Sequence, residues 1–355
     1  MTTDPAAPPL PRPRGPLSAA VISRLREGRG RLPSDDEIRR ADPYGADPQT
    51  ALYVLYELHY RGFDGVDDDL EWEPELLAVR RPLEETFLAA LRADVPTTGL
   101  AAALSALLTE PSADDGTDVS RHLHHRGGLG QLREYAALRS LYHLKEADPH
   151  AWALPRLRGQ AKAGLAAIEF DEFGAGRAED IHARLFAGLM TDLGLETRYG
   201  HYVDLAPAAA LTTVNLMSLL GLHRSLRGAL VGHFATVEIT SPPGARRLAE
   251  AMRRTGAGPA AEHFYAEHVL ADAVHEQVVR REVIGGLLRD EPALEADVAF
   301  GIHATGHVED RLARHLLTAW RAGRSALREP LPPAARPRHD SSGPSPASRS
   351  SSSAS

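Results

Sequence analysis

The chain has 355 residues, 43% of them hydrophobic, and a formal net charge of −8. That length and apolar content allow one large or two ordinary domains with a sizeable core. The charges of both signs are interspersed, so no nucleic-acid footprint is evident. The absence of cysteine excludes disulfides, thiolate metal clusters and a cysteine nucleophile, and fits a cytoplasmic protein. Ala, Leu, Arg and Glu dominate and β-branched runs are scarce, which is the composition of an all-α protein.

In chain order, residues 1–34 read as a Pro-rich flexible arm with one short helix from Leu17 to Arg29. The arm lacks an apolar h-region, so no signal peptide is expected. Ser34 and Glu37 have capping-box spacing and mark a helix start. Helices follow over Asp47–Arg61, over Glu71–Asp94 with Pro82 at its start or at a kink, and over Gly99–Thr109. Residues 111–130 carry Asp114-Asp115-Gly116 and Gly127-Gly128 and are expected to be a loop that solvates His122, His124 and His125. Further helices are expected over Leu132–Ala147 and over Ala151–Phe173, with a break at Gly174-Ala175-Gly176, and then over Ala178–Leu193. The most apolar stretch, Leu205–Leu222, contains Pro207, Thr212, Thr213, Asn215 and Ser218, and reads as a buried helix and not a membrane span. Leu226–Ile239 is expected to end at Ser241-Pro242-Pro243-Gly244, with Ala245–Thr255 as a separate helix. Ala260–Ile284 reads as one long helix, and Glu291–Arg324 as the last one or two. One helical-bundle domain thus spans 35–328, followed by a disordered Pro/Ser-rich tail over 329–355.

In the helix after Ala260, His268, Asp272 and His275 stand at i, i+4 and i+7, within about 60° of one another at 100° per residue. Two imidazoles and a carboxylate on one face suit Fe, Mn or Zn, and equally suit a solvated polar face in a His-rich chain. Other acids lie among apolar residues: Glu146 at a helix C-terminal end, Glu169 and Glu172 before the glycine break, and Glu238 near a helix end. Carboxylates buried in a bundle must be paired or bind metal. His182 follows Glu172 by ten residues, about −80° away on an unbroken helix, so a break or π-bulge at Gly174–Gly176 would be needed to align the two. Glu57 rivals Glu146, and Glu169 rivals Glu172. His303, His307 and Asp310 repeat the i, i+4, i+7 spacing, but Gly301 and Gly306 weaken that helix. Tyr265 and Arg280 lie about one turn from the ends of the His268–His275 stretch, where such residues more often serve core packing or support the ligands than touch substrate, and they are left out of the site.

The text Leu144-Lys145-Glu146-Ala147-Asp148-Pro149-His150, then Asp171-Glu172-Phe173-Gly174 with Gly176-Arg177 and His182, then His268-x3-Asp272-x2-His275 resembles the heme-oxygenase-like diiron oxidases, the iron-containing redox enzymes. The resemblance covers about residues 45–320 and implies an all-α, heme-oxygenase-like helical bundle. It also implies a first shell of Glu146, Glu172, His182, His268, Asp272 and His275 around two non-heme iron ions. Glu238 matches a further carboxylate of the N-oxygenating members and would be both ligand and catalytic residue. Such a set is all N/O, which suits two iron ions and not a heme or a soft metal. The Glu-x-x-His pairs of ferritin-like bundles occur here once, at Glu179 and His182, so that twofold set is incomplete.

The implied function is O2-dependent oxidation of a small metabolite with an external reductant, most closely N-oxygenation of an amine or guanidine in secondary metabolism. Oxidative C–C cleavage or desaturation of a small amino acid or fatty acid is the alternative at the same centre. A non-catalytic helical binding protein or a heme binder is the alternative outside that chemistry, though heme would leave the acids unexplained. The expected partners are the small-molecule substrate, an electron donor and a second copy of the chain in a homodimer, with no nucleic acid and no membrane.

Overall fold

A computed structural model describes residues 7–109 and 115–332; of residues 270–274 it describes the backbone and not the side chains. The described residues are helical and contain no strand. The helices are α1 (Pro16–Glu27), α2 (Asp35–Arg39), α3 (Ala46–Glu57), α4 (Pro74–Asp94), α5 (Leu100–Leu107), α6 (Val119–His125), α7 (Leu129–His143), α8 (Asp148–Ala151), α9 (Gly159–Glu172), α10 (His182–Asp192), α11 (Ala208–Leu222), α12 (Arg227–Thr255), α13 (Pro259–Val278), α14 (Gly285–Asp290) and α15 (Glu295–Arg321). None is long and apolar enough to cross a membrane among the described residues.

The expected capping box is present at α2, where the Ser34 hydroxyl accepts from the Glu37 N–H and the Ser34 N–H donates to the Glu37 carboxylate at 2.8 Å. Pro207 caps α11, whose residues from Ala210 to Gly221 are all buried, as expected of a helix that is apolar on every side. The side-chain nitrogen of its buried Asn215 donates to the Gln49 backbone and side-chain oxygens, both at 2.8 Å. Residues 7–15, within the stretch expected to be a flexible arm, lie against the bundle. The Arg12 N–H and side chain bond Asp204, and Arg14 bonds the carbonyls of Val203 and Ala206. Residues 1–6 and the tail from 333 lie outside the described residues.

Helix α12 is the spine of the site, packing on α13 and α15 along much of its length. It crosses α15 through glycines. A Cβ on Gly232 would collide with the Val298 carbonyl, and one on Gly301 with the Ala229 carbonyl. The two backbones therefore touch, and only residues without a side chain permit that separation.

Several local expectations are corrected. Ser241-Pro242-Pro243-Gly244 does not end a helix: α12 runs through both prolines for 29 residues. Tertiary packing of the two flanking apolar stretches outweighs the lost hydrogen bonds. Pro82 likewise sits inside α4. His122, His124 and His125 lie on α6 and not in a loop, because Asp118 caps that helix by accepting from the N–H groups of Ser120 and Arg121. His124 pairs with Glu250 at 2.9 Å, and His122 stacks on Trp320. The long helix after Ala260 widens into a π segment at Val279–Ile284 before α14. The π-turn thus follows His275, while Gly174–Gly176 forms a complete break.

Candidate metal centre

Five elements converge on one buried spot. Glu146 lies three residues beyond the C-terminal end of α7, Glu172 is the last residue of α9, His182 is the first of α10, Glu238 is in α12, and His268 and His275 are in α13. Their donor atoms form two clusters: Glu146 with His182 and His268, and Glu172 with Glu238 and His275. Within each, the atoms lie within 4.8 Å of one another. All six side chains are buried. The clusters abut, because His182 Nδ1 is 2.7 Å from Glu172 Oε2 while Glu172 Oε1 is 3.8 Å from His275 Nδ1. The Asp272 side chain lies outside the described residues.

The break between α9 and α10 creates the Glu172–His182 contact. Gly174, Ala175 and Gly176 have φ of 74°, 52° and 84°, three successive left-handed residues that stop α9 and redirect the chain. A Cβ on Gly174 would stand 2.7 Å from the Ile181 amide nitrogen, so that position requires glycine twice over. Glu172 at a helix C-terminus and His182 at a helix N-terminus both oppose the macrodipole preference for charge.

Neighbouring groups orient the imidazoles. His268 Nδ1–H donates to the Phe264 carbonyl at 2.8 Å, which leaves its Nε2 lone pair toward the cluster, buried and with no protein partner. His275 turns Nδ1 toward Glu238 at 3.1 Å, while its Nε2 faces Asp171 at 3.2 Å. That carboxylate–imidazole contact is the arrangement that fixes ring orientation at metal sites. His143 Nδ1 lies 2.8 Å from Glu146 Oε2, with its ring set against Phe186 and Phe264.

The electrostatics of the cluster are strained. Glu146, Glu172 and Glu238 are buried, and among the described residues their ion-pair partners are imidazoles only, with no Lys or Arg. Burial pushes Glu238 up to about 7, against the hydrogen bond from His275. Burial opposes charge on His275 too, but the Glu238 hydrogen bond and the neighbouring acids raise it to about 9. Burial also raises Glu146, yet His143, His268 and His182 hold it down at about 2. Glu169, with both carboxylate oxygens buried and unpartnered, is pushed up to about 9 by burial and by Glu172 and Glu238. Buried carboxylates balanced by imidazoles and not by Lys or Arg are what a buried polyvalent metal site looks like without its ions.

The rival residues have other roles. Glu57 accepts from Lys145 Nζ at 2.9 Å and from the Tyr199 hydroxyl at 2.5 Å, in a buried pair apart from the cluster. Glu169 joins neither triad. His303 bonds Thr98, and His307 faces Asp94 at 4.0 Å, so they gather no ligand set. Arg280 pairs with Glu276, whereas Tyr265 lines the cavity beside the cluster. His143 and Asp171 were missed by sequence reasoning. Their signals are present in the sequence as His143-x2-Glu146 and as an acid next to Glu172.

A cavity of about 560 Å³ opens from this cluster. Its walls come from α7 (Tyr142, His143), α12 (His233, Thr236), α13 (Tyr265) and α15 (Thr305), and Glu146, Glu172, Glu238 and His268 border it.

Fold and site together define an all-α, heme-oxygenase-like protein with a buried carboxylate-and-histidine cluster able to hold metal. Residues 133–310 match the family described as iron-containing redox enzymes, and the chain belongs to it. The matched span contains all six clustered residues. It is an oxidoreductase family whose members contain iron, which is consistent with the all-N/O donor set. No curated protein matches the chain.

Proposed function

We propose that the two triads hold two iron ions, with Asp272 as a further ligand, and that the protein is a diiron oxygenase. The observation that carries this reading is the contiguity of the clusters through Glu172, whose two oxygens face His182 of one triad and His275 of the other. The donor set fits the metal: three buried carboxylates without Lys or Arg partners, and an unpartnered imidazole nitrogen on His268. Iron held by these residues would supply the redox chemistry for reducing O2 beside the substrate, with electrons from an external donor.

The chain's own residues do the rest. Phe264 and Asp171 hold the His268 and His275 rings in the orientations that turn Nε2 and Nδ1 inward. Glu238 enters from α12, on the wall the cavity shares with the cluster, and would receive a proton from a substrate nitrogen there. Phe186 and Phe264 exclude water on the His143 side.

The substrate we propose is a small soluble amine or guanidine, N-oxygenated by this centre, with Glu238 as the residue that tilts the reading. The apolar part of the cavity wall (Met217, Leu248, Leu312, Leu316) would also accommodate an alkyl chain and supports C–C cleavage or desaturation as a second reading.

The test is anaerobic Fe(II) loading with metal counting, followed by O2 and a screen of amines and fatty acids by product mass. Two ions bound and a hydroxylamine or nitro product are expected. An alkene or a product short of one carbon would favour the second reading. No iron uptake, or uptake unchanged in His268→Ala, would overturn the diiron assignment.

A further inference from the structure

The walls of the cavity can be audited for unspent hydrogen-bonding capacity. On α12, the Thr236 hydroxyl donates to the Gly232 carbonyl at 2.9 Å and the Thr240 hydroxyl donates to the Thr236 carbonyl at 2.8 Å. Each hydroxyl hydrogen is consumed, and each oxygen keeps acceptor capacity toward the cavity. On α15, the Thr305 hydroxyl donates to the Gly301 carbonyl at 2.7 Å. Thr305 Oγ1 can therefore only accept in its 2.8 Å contact with His233 Nδ1, which fixes the proton on Nδ1. The opposite nitrogen, His233 Nε2, is then a bare acceptor. His233 is 1% exposed, and Nε2 has no partner. Burial holds the ring neutral, with its pKa lowered to about 4. Both arginines of this lining meet carboxylates: Arg139 bonds Glu309 at 2.9 and 2.6 Å, with its buried Nε left without a partner, and Arg247 bonds Asp118 at 3.1 Å.

We infer that this wall is a recognition surface for a hydrogen-bond donor: the substrate carries, away from its reacting end, an N–H or O–H group that bonds His233 Nε2, with Thr236 and Thr240 as supporting acceptors. The inference deepens the proposed oxygenase reading and rests on it for the position of the reacting end. His233 and Glu238 are five residues apart on one helix, about 7.5 Å of rise, so the donor stands a short alkyl spacer away from the iron-proximal group. A buried acceptor left empty penalises any ligand that covers it without donating, so the wall selects against plain alkyl chains. His233 acts here as a specificity-determining residue and joins neither triad.

Binding to the Zn(II)-loaded and metal-free full-length protein tests this without turnover, using calorimetry and ligand-observed NMR. The probes are two matched pairs: n-pentylamine against 5-aminopentan-1-ol, and hexanoate against 6-hydroxyhexanoate. The hydroxylated member of a bound pair is expected to bind about 5- to 10-fold tighter, one hydrogen bond to a buried acceptor. His233→Phe should abolish that preference, chiefly by tightening the plain alkyl member, which then no longer covers an unpaired acceptor. If His233→Phe does not fold, as judged by circular dichroism, the Thr236→Val/Thr240→Val double variant should still shrink the preference by about threefold. Preference in the carboxylate pair alone would sustain the donor-recognition wall and sink the amine reading. No preference in either pair, absence of binding included, or a preference that survives both sets of substitutions, overturns the inference.

Discussion

Glu172→Gln separates a dinuclear site from two independent ones. Glu172 is 4% exposed, with Oε2 at 2.7 Å from His182 and Oε1 at 3.8 Å from His275, so one side chain serves both triads. Unit charges 4 Å apart interact by about 4 kcal/mol at an effective dielectric of 20, and glutamine keeps an oxygen donor while losing the charge. A loss of ~2.7 kcal/mol, or about 100-fold in affinity, is expected for each of the two ions. Glu238→Gln should weaken one ion only, because Glu238 belongs to one triad. The two variants therefore differ in stoichiometry at a fixed low Fe(II) concentration: none retained for Glu172→Gln, one for Glu238→Gln. A second signature runs the opposite way. Glu172 repels Glu238 and Glu169, so its neutralisation should raise the melting temperature of the metal-free protein. Anaerobic Fe(II) titration with metal counting, paired with thermal melts of metal-free protein, reads both. Two ions bound to Glu172→Gln with affinities within about threefold of wild type would refute the shared-carboxylate argument.

Asp171→Asn should weaken metal binding by about 10- to 100-fold while leaving the helical circular-dichroism signal intact, because Asp171 orients His275 without joining either triad; unchanged Fe(II) affinity would count against that role. Glu57→Gln should leave Fe(II) stoichiometry untouched but cost about 3–5 kcal/mol in urea unfolding, since it strands the buried Lys145 ammonium; lost iron at full stability would restore Glu57 as a ligand candidate. Burial lowers His150 from 6.5 to about 3, so its neutral form belongs to the fold and the unfolded chain takes up the proton first. Stability should therefore fall as pH drops below 6.5, by about 1.3 kcal/mol between pH 7.5 and 5.5 for this residue. Urea melts of metal-free wild type and His150→Phe at the two pH values check it: the wild-type loss should exceed the variant's by that amount, and equal losses would contradict it.

Much of the fold was legible because periodicity and caps are local. Ser34 with Glu37, the buried α11 after Pro207 and the glycine break after α9 all took the form that nearby residues dictate. The failures share a cause. Pro242 and Pro243 are strong local breakers, but α12 is held by packing on α13 and α15 that no window of sequence contains. The site followed the same rule. Glu172 and His182 could be paired only by assuming a break between them, and the observed left-handed run at Gly174–Gly176 supplies it. His143 and Asp171 escaped notice because their importance lies in which imidazole or carboxylate they face. The hydroxyl-hydrogen accounting around His233 is invisible without coordinates, since it depends on which carbonyl each threonine reaches.

The prolines inside α12 bear on the chemistry in another way. An α-helical carbonyl normally accepts from the amide four residues ahead, and proline has no amide hydrogen to give. The residue four ahead of Glu238 is Pro242, and the one four ahead of Ile239 is Pro243. The peptide groups that carry and follow Glu238 therefore sit in a turn relieved of two of its rungs. Of the clustered residues described here, Glu238 is the one whose helical turn lacks two amide donors, so its position rests on the packing of α12 against α13 and α15 and on the contact with His275.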